Sequence, residues 1–198
     1  MLASAIATGP EPAVRPATPA DAADMARLVD LASEGMVRRF WAEMAAPGED
    51  VFAVGARRAA RDSGAFSWRN GWIPELGGMV AGLLVGYRIG DAPEPVDEAP
   101  AMVRGLVELE NAALGSWYVN VLATYAPHRG CGVGTALLRQ ATRLAEGTAM
   151  SLIVADGNAT ARRLYEGFGF LEAERRPIVH DGWESDSRAW VLMLRPAG

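Results

Sequence analysis

The sequence predicts a single α/β domain, for three reasons. Its 198 residues are enough for one domain with a sizeable core. Half of them are hydrophobic and 22% are charged, as in ordinary globular proteins. Apolar runs of strand length alternate with amphipathic segments of helix length. We expect residues 1–12 to form a flexible leader and residues 13–198 to form the domain.

The first half of the chain is predicted to alternate between strands and helices. Thr18, with Pro19 at the first helical position and Asp21 completing a capping box, marks one helix start. The Gly-Gly pair at 77–78 predicts a hairpin turn, and the acidic Pro-rich stretch 91–100 predicts a loop. In order, the predicted segments are a strand at 14–17, helices at 18–34, 36–45 and 50–61, strands at 65–73 and 78–89, and a helix at 102–113.

The second half contains a strand, a glycine-rich loop and a helix in direct succession. Alternating apolar residues, Val119, Val121 and Ala123 among them, predict a buried strand at 118–124. Pro127 ends that strand because proline cannot donate to a sheet ladder. The segments predicted after the loop are a helix at 135–146, a strand at 151–156, a helix at 159–167, and strands at 170–177 and 188–194.

The glycine-rich loop has the features of an anion site. Gly130, Gly132 and Gly134 leave one face without side chains, so a ligand can approach the main chain. The unpaired N–H groups and the positive dipole end of the next helix point at the same place, which favours a pyrophosphate. The loop lacks the lysine of a Walker loop, and Thr135 stands where a dinucleotide fingerprint needs its third glycine.

Composition and charge exclude several other classes of function. A net charge of −5 with scattered arginines gives no basic surface for nucleic acid, although it would attract an amine-bearing substrate. No apolar run is long enough for a membrane span. One cysteine and two histidines cannot build a disulfide framework or a His/Cys metal centre, so no metal is expected. A free thiol and the lack of a signal-peptide pattern predict a cytoplasmic protein.

Two motifs resemble those of the GNAT N-acetyltransferase superfamily. Arg129, Gly132 and Gly134 match its Arg/Gln-x-x-Gly-x-Gly/Ala loop. The stretch from Asn158 to Phe170 matches Asn-x-x-Ala-x-x-Leu-Tyr-x-x-x-Gly-Phe at every specified position, at the expected distance after the loop. The resemblance implies a central mixed, mostly antiparallel twisted sheet of six to seven strands. It also implies helices on both faces and a V-shaped splay between the strands near 117–124 and 151–155.

The same resemblance implies that acetyl-CoA, as co-substrate, lies in the splay. The main chain at Leu122, Ala123 and Thr124 would pair with the pantetheine arm and the acetyl carbonyl. Asn158 would hydrogen-bond the arm, and Tyr165 would protonate the departing thiolate. The amides expected to hold the pyrophosphate are those of Arg129, Gly130, Cys131, Gly132, Val133, Gly134 and Thr135. Cys131 is expected to be an incidental loop residue and not a nucleophile.

The implied reaction transfers the acetyl group to a primary amine of an unidentified small-molecule or peptide acceptor. The amine would attack directly in a ternary complex. Glu110 is the candidate general base, with Glu108 beside it, and residues 36–74 and 91–114 are expected to line the acceptor side. One alternative is a catalytically silent acetyl-CoA-binding sensor or partner module, and another is an unrelated nucleotide-binding protein. The sequence is compatible with a homodimer.

Overall fold

The computed structural model describes residues 12–198, so the predicted leader, apart from Pro12, lies outside the described residues. The α-helices are α1 (Ala22–Ala32), α2 (Met36–Met44), α3 (Val51–Ala59), α4 (Ala101–Asn111), α5 (Val133–Leu144) and α6 (Ala159–Gly167). The strands are β1 (Ala13–Pro16), β2 (Gly71–Leu76), β3 (Met79–Val80), β4 (Gly82–Arg88), β5 (Trp117–Thr124), β6 (Met150–Ala155), β7 (Leu171–Pro177) and β8 (Ala189–Arg195). None of these helices is both long and apolar enough to cross a bilayer.

The strands form one open sheet in the order β1-β2-β4-β5-β6-β8-β7, with β3 paired to β2. Among the described strands, only β5 and β6 run parallel. The predicted α/β class with a mixed, mostly antiparallel sheet is therefore confirmed. The strands number eight because the predicted strand at 78–89 is interrupted at Ala81. The Ala81 N–H donates to the Pro74 carbonyl at 2.8 Å, and this irregular bond separates β3 from β4.

The sheet splits where β5 leaves β6, which confirms the predicted splay. Their pairing covers only three residue pairs and ends at Val119 with Leu152, although both strands continue. A β-bulge interrupts β5 at the same level. Val121 pairs with Val85 and Val119 pairs with Gly86, so Asn120 has no partner on β4. Because a bulge bends a strand and increases its twist, we attribute the splay to Asn120.

The bulge also changes which face of the sheet the β5 side chains cover. Residues two apart on a regular strand share a face. Here Val119 packs with α5, whereas Val121 packs with α1 and α3 on the other side of the sheet. A third buried cluster joins α4 to β8 and includes Trp183 and Trp190. Helices thus cover both faces, as predicted.

Local hydrogen bonds explain why the predicted helix start at Thr18 is confirmed and why the predicted strand at 65–73 begins later. The Asp21 carboxylate accepts the Thr18 N–H at 2.7 Å, which confirms the predicted capping interaction before α1. The predicted strand at 65–73 is wrong at its beginning, because Trp68–Asn70 forms a 3-10 turn and the strand is Gly71–Leu76. The Ser67 hydroxyl donates to the Arg61 carbonyl and accepts from the Arg69 N–H, so side-chain bonds replace strand pairing there.

Candidate active site

A cavity of about 690 Å³ fills the gap between β5 and β6. Its walls are the ends of these two strands, the loop before α5, the first turn of α5, and α6. The C-terminal end of α1, the turn after it and Trp190 of β8 close the other end. The cavity therefore lies where the resemblance to GNAT enzymes predicts the acetyl-CoA site.

The ladder between β4 and β5 determines which main-chain groups face the gap. Tyr125 donates its N–H to the Ala81 carbonyl at 3.0 Å. Because main-chain groups on an antiparallel strand alternate in direction, those of Ala123 also point towards β4, where its partner is Leu83. The N–H and C=O of Leu122 and Thr124 point the other way, into the gap. Two of the three predicted main-chain positions thus face the cavity.

The loop before α5 presents open main chain to the cavity. Gly130 and Gly132 have φ angles of +77° and +80°, which glycine adopts without strain. Apart from the two chain neighbours, no atom of residues 12–198 lies within 4 Å of the position that a Cβ would occupy at either residue. The N-cap residue of α5 is Gly132, which has no side chain to cap the helix, so the N–H groups of its first turn are available to a ligand. This end of the cavity also contains His128 and Arg129, so it suits an anion.

Gly134 has a different role from the two loop glycines. A Cβ at this position would lie 3.0 Å from Leu164 Cδ2, so the glycine allows α6 to pack close to the start of α5. Asn158 begins α6, and its side-chain oxygen accepts the Ala161 N–H at 3.1 Å. That bond leaves the Asn158 side-chain NH₂ group as a donor at the cavity wall.

Tyr165 projects from α6 into the same cavity. The side chain is 7% exposed and packs edge-on against Phe170, with ring centroids 6.2 Å apart. Burial raises the pKa of the Tyr165 hydroxyl to about 12. The phenol therefore keeps its proton at neutral pH. Among the described residues, none forms a hydrogen bond with this hydroxyl.

Glu110 lies outside the set of residues that line the cavity. Its carboxylate lies near the hydroxyl of Tyr118, a buried residue at the start of β5. Burial raises the pKa of the Glu110 carboxyl, and the nearby charge of Glu94 adds to the effect, while the Tyr118 hydroxyl opposes it. Glu108, the other predicted carboxylate, instead pairs with Arg176.

The acceptor end of the cavity is built from residues that the sequence motifs did not indicate. These residues are Leu31, Ala32 and Glu34 at the end of α1, Asn120 at the bulge, and Trp190 on β8. The prediction that residues 36–74 and 91–114 line this side is wrong, because none of the lining residues comes from these ranges. The Trp41 side chain, for example, is buried against Phe52 and Phe66 in the core beneath α1.

The Glu34 carboxylate joins the two loops that border the acceptor end. Its Oε2 accepts a hydrogen bond from the Ser185 hydroxyl, in the connection between β7 and β8. Glu34 also has a φ of +53°, a left-handed conformation that is unusual for any residue except glycine. Sequence analysis could not predict this contact, because the two residues are 151 positions apart in the chain.

Comparison with known proteins agrees with this geometry. The model of the "Acetyltransferase (GNAT) family" matches residues 50–170. No curated protein matched the chain.

Solved structures share the fold at low sequence identity. An acetyltransferase structure aligns over 94% of this chain and 100% of its own, with 22% identity and a TM-score of 0.64. An N-acetyltransferase from Staphylococcus aureus Mu50 aligns over 92% and 99%, with 19% identity and a TM-score of 0.60. A structure described as histone acetyltransferase HPA2 and related acetyltransferase, from Corynebacterium glutamicum, aligns over 95% and 97%, with 20% identity and a TM-score of 0.60. Since the family model spans more than half of the chain, the protein belongs to the GNAT family of acetyltransferases.

Proposed function

We propose that this enzyme transfers the acetyl group of acetyl-CoA to a primary amine in the cavity between β5 and β6. The observation that carries the proposal is a single continuous cavity with an uncapped helix N-terminus at one end and the Tyr165 phenol in its wall. The first feature suits a pyrophosphate and the second suits a leaving sulfur. The residues present therefore fit acetyl-CoA.

The cofactor end holds the ligand mainly through the main chain. We assign the pyrophosphate to the amides of the loop and of the first turn of α5, at Arg129, Gly130, Cys131, Gly132, Val133, Gly134 and Thr135. The groups of Leu122 and Thr124 that face the gap would bond the pantetheine arm and the thioester carbonyl, and Asn158 would donate its side-chain NH₂ group to the arm. Ala123 would contribute its small side chain to the wall, because its main chain faces β4.

The chemistry follows from where these groups lie. A neutral amine attacks the thioester carbonyl carbon, a C–N bond forms, and the C–S bond breaks. A strand N–H at the carbonyl oxygen stabilises the negative charge that develops there. The sulfur leaves with the electron pair of the C–S bond, and Tyr165 supplies a proton or a hydrogen bond to it. The amine loses one proton, so the products are an amide and free CoA.

Glu110 remains the predicted acceptor of the amine proton, although it is not in the cavity wall. Transfer to it would have to pass through Tyr118 or water, because the Tyr118 hydroxyl is the group near the Glu110 carboxylate. The pKa of Glu110 is raised towards neutral pH, and a general base is most effective when its pKa is near the working pH.

We further propose that the domain extends over residues 13–198 and acts in the cytoplasm, with a small-molecule or peptide amine as its partner. The composition arguments given above support this.

Two measurements test the proposed function. Acetyl-CoA should raise the thermal midpoint of the protein, whereas ATP and NAD should leave it unchanged. A panel of primary amines with acetyl-CoA should then release free CoA thiol. The chain contains no lysine, so acetylation of its own side-chain amines cannot contribute to the thiol signal. Stabilisation by acetyl-CoA without release of thiol on any amine would favour the alternative, a silent acetyl-CoA-binding module.

A further inference from the structure

The two ends of the cavity differ in charge. Among the described lining residues, His128 and Arg129 carry the basic groups and both lie at the loop before α5. Glu34 is the acidic residue of the wall, and it lies at the opposite end, near Asn120 and Trp190. An anionic cofactor would be attracted to the basic end, and a cationic acceptor would be attracted to the end that contains Glu34.

The Glu34 carboxylate is free to bind a cation. Its Oε2 accepts the Ser185 hydroxyl, and no Arg or His side chain of the described residues pairs with it. The nearby Arg38 and Arg39 are paired with Asp30 and Glu43. The other oxygen of the Glu34 carboxylate therefore has no partner among the described residues.

The left-handed backbone at Glu34 belongs to the end of α1, where the Gly35 N–H donates to the Asp30 carbonyl at 2.9 Å. A left-handed conformation costs a residue with a Cβ about 1–2 kcal/mol relative to a right-handed one. Here the contact with Ser185 holds the side chain at the rim of the cavity.

The wall between Glu34 and the splay is apolar. It contains the side chains of Leu31, which is 40% exposed, and Ala32, with Trp190 across from the α1 end. An aliphatic chain could lie along such a wall while its far end reaches the carboxylate. An indole also tolerates a nearby cation.

We infer that the acceptor is an aliphatic diamine, whose second ammonium group binds the Glu34 carboxylate while its first amine is acetylated. This inference rests on the proposed function. The loop that carries Ser185 also contains Asp181, Glu184 and Asp186, so it is acidic. An amino acid in place of the diamine would bring its own carboxylate against Glu34 and would be repelled.

Matched acceptors test the inference. 1,3-Diaminopropane, 1,4-diaminobutane and 1,5-diaminopentane are each compared with the monoamine of the same chain length, and 4-aminobutanoate serves as the acidic analogue. For at least one length, kcat/KM of the diamine should exceed that of the monoamine by about fivefold, the upper end for an exposed ion pair. The difference should reside in KM and shrink as salt is added. 4-Aminobutanoate should be a poorer acceptor than butylamine.

The variant Glu34→Gln should remove the preference for the diamine and the discrimination against 4-aminobutanoate, so that diamine and monoamine of the same length have equal kcat/KM. Glu98→Gln is the matched control, because Glu98 is an exposed carboxylate in the loop before α4, away from the cavity, and its loss changes the net charge equally. This control should keep the wild-type preference. A fall in kcat for every amine in Glu34→Gln would instead make Glu34 the general base and overturn the inference.

Calorimetric binding separates this inference from the proposed function. With CoA bound, the diamine should bind about fivefold tighter than the monoamine to the wild type, and equally to Glu34→Gln. If that difference is found without any turnover, the assignment of Glu34 stands and acetyl transfer to amines fails. If the diamine binds no tighter, or if Glu34→Gln keeps the difference, the assignment of Glu34 is wrong even where amines are acetylated.

Discussion

The two ends of the cavity are built from different parts of the chain and in different ways. The cofactor end is made of main chain: the free edge of β5, two open glycines and the first turn of α5. The acceptor end is made of side chains from distant segments, with Glu34 after α1 and Trp190 on β8. Changes to backbone geometry should therefore impair cofactor binding, and changes to side chains should alter acceptor choice.

Tyr165 lies between the two ends, so its loss should have the largest effect. We expect Tyr165→Phe to lower kcat about 100-fold while acetyl-CoA still binds, because only the proton for the sulfur is lost. The thermal midpoint should not fall, since no described residue bonds the hydroxyl. Steady-state kinetics and calorimetry would check both. Tyr125→Phe, which removes a hydroxyl that bonds Asp24 outside the cavity wall, is the control; equal losses of kcat in the two variants would count against Tyr165.

Gly132→Ala tests whether the cofactor end depends on its backbone. A Cβ at φ +80° strains the loop and projects into the space left for the ligand. Loss of one charge-assisted hydrogen bond should raise the KM for acetyl-CoA about tenfold. Gly48→Ala imposes the same kind of strain at φ +79°, also in open space but in the turn before α3. Both variants should lose about 1 kcal/mol of stability, and only Gly132→Ala should change KM.

Asn158 caps α6 and is also proposed to bind acetyl-CoA, and two substitutions separate these two roles. Asn158→Ala removes the cap of α6 and should cost about 1 kcal/mol of unfolding free energy. Asn158→Ser keeps an oxygen for the cap but removes the NH₂ donor, so stability should be retained while the KM for acetyl-CoA rises about threefold. Chemical denaturation and kinetics distinguish the outcomes. An unchanged KM in both variants would limit Asn158 to the cap.

Glu110 should show the smallest effect, and this effect should depend on pH. Burial raises the pKa of its carboxyl above the ordinary value of 4.5, so the folded state keeps the proton to higher pH than the unfolded state. The stability that Glu110 contributes is therefore complete below pH 4.5 and is lost as the pH rises through the folded-state pKa.

Glu110→Gln keeps an acceptor for the Tyr118 hydroxyl and removes this loss. The variant should thus be slightly more stable than the wild type at pH 7, with the gain vanishing near pH 4. Denaturation curves at both pH values would check this. A lower kcat in the same variant would support Glu110 as the base, whereas an unchanged kcat would leave it a structural residue.

The cofactor end could be predicted from sequence because its requirements are local. A glycine that must adopt positive φ and a helix start lie within a few residues of each other, so their spacing is visible in the chain. Gly130 and Gly132 have the open surroundings that the pattern predicted. The packing role of Gly134 could not be seen, because Leu164 meets it only in the folded chain.

The acceptor end could not be predicted, because its contacts join segments that are far apart in sequence. The bond between Glu34 and Ser185 has no local pattern, and neither residue belongs to a motif. Aromatic residues in the first half suggested a pocket wall, but Trp41 fills the core. The bulge at Asn120 also left no signal, since alternation appeared regular from Tyr118 to Thr124.

The short junction between β5 and β6 has a consequence for how the protein folds. It divides the sheet into one piece from residues 13–124 and another from residues 150–195, and within each piece the paired strands belong to one stretch of chain. The junction has only three residue pairs, against seven between β4 and β5 and six between β6 and β8, so it has fewer ladder hydrogen bonds than the pairings on either side of it. We expect both pieces to acquire protection in pulse-labelled hydrogen exchange before the amides of 117–119 do. The cleft would then be the last part of the molecule to form.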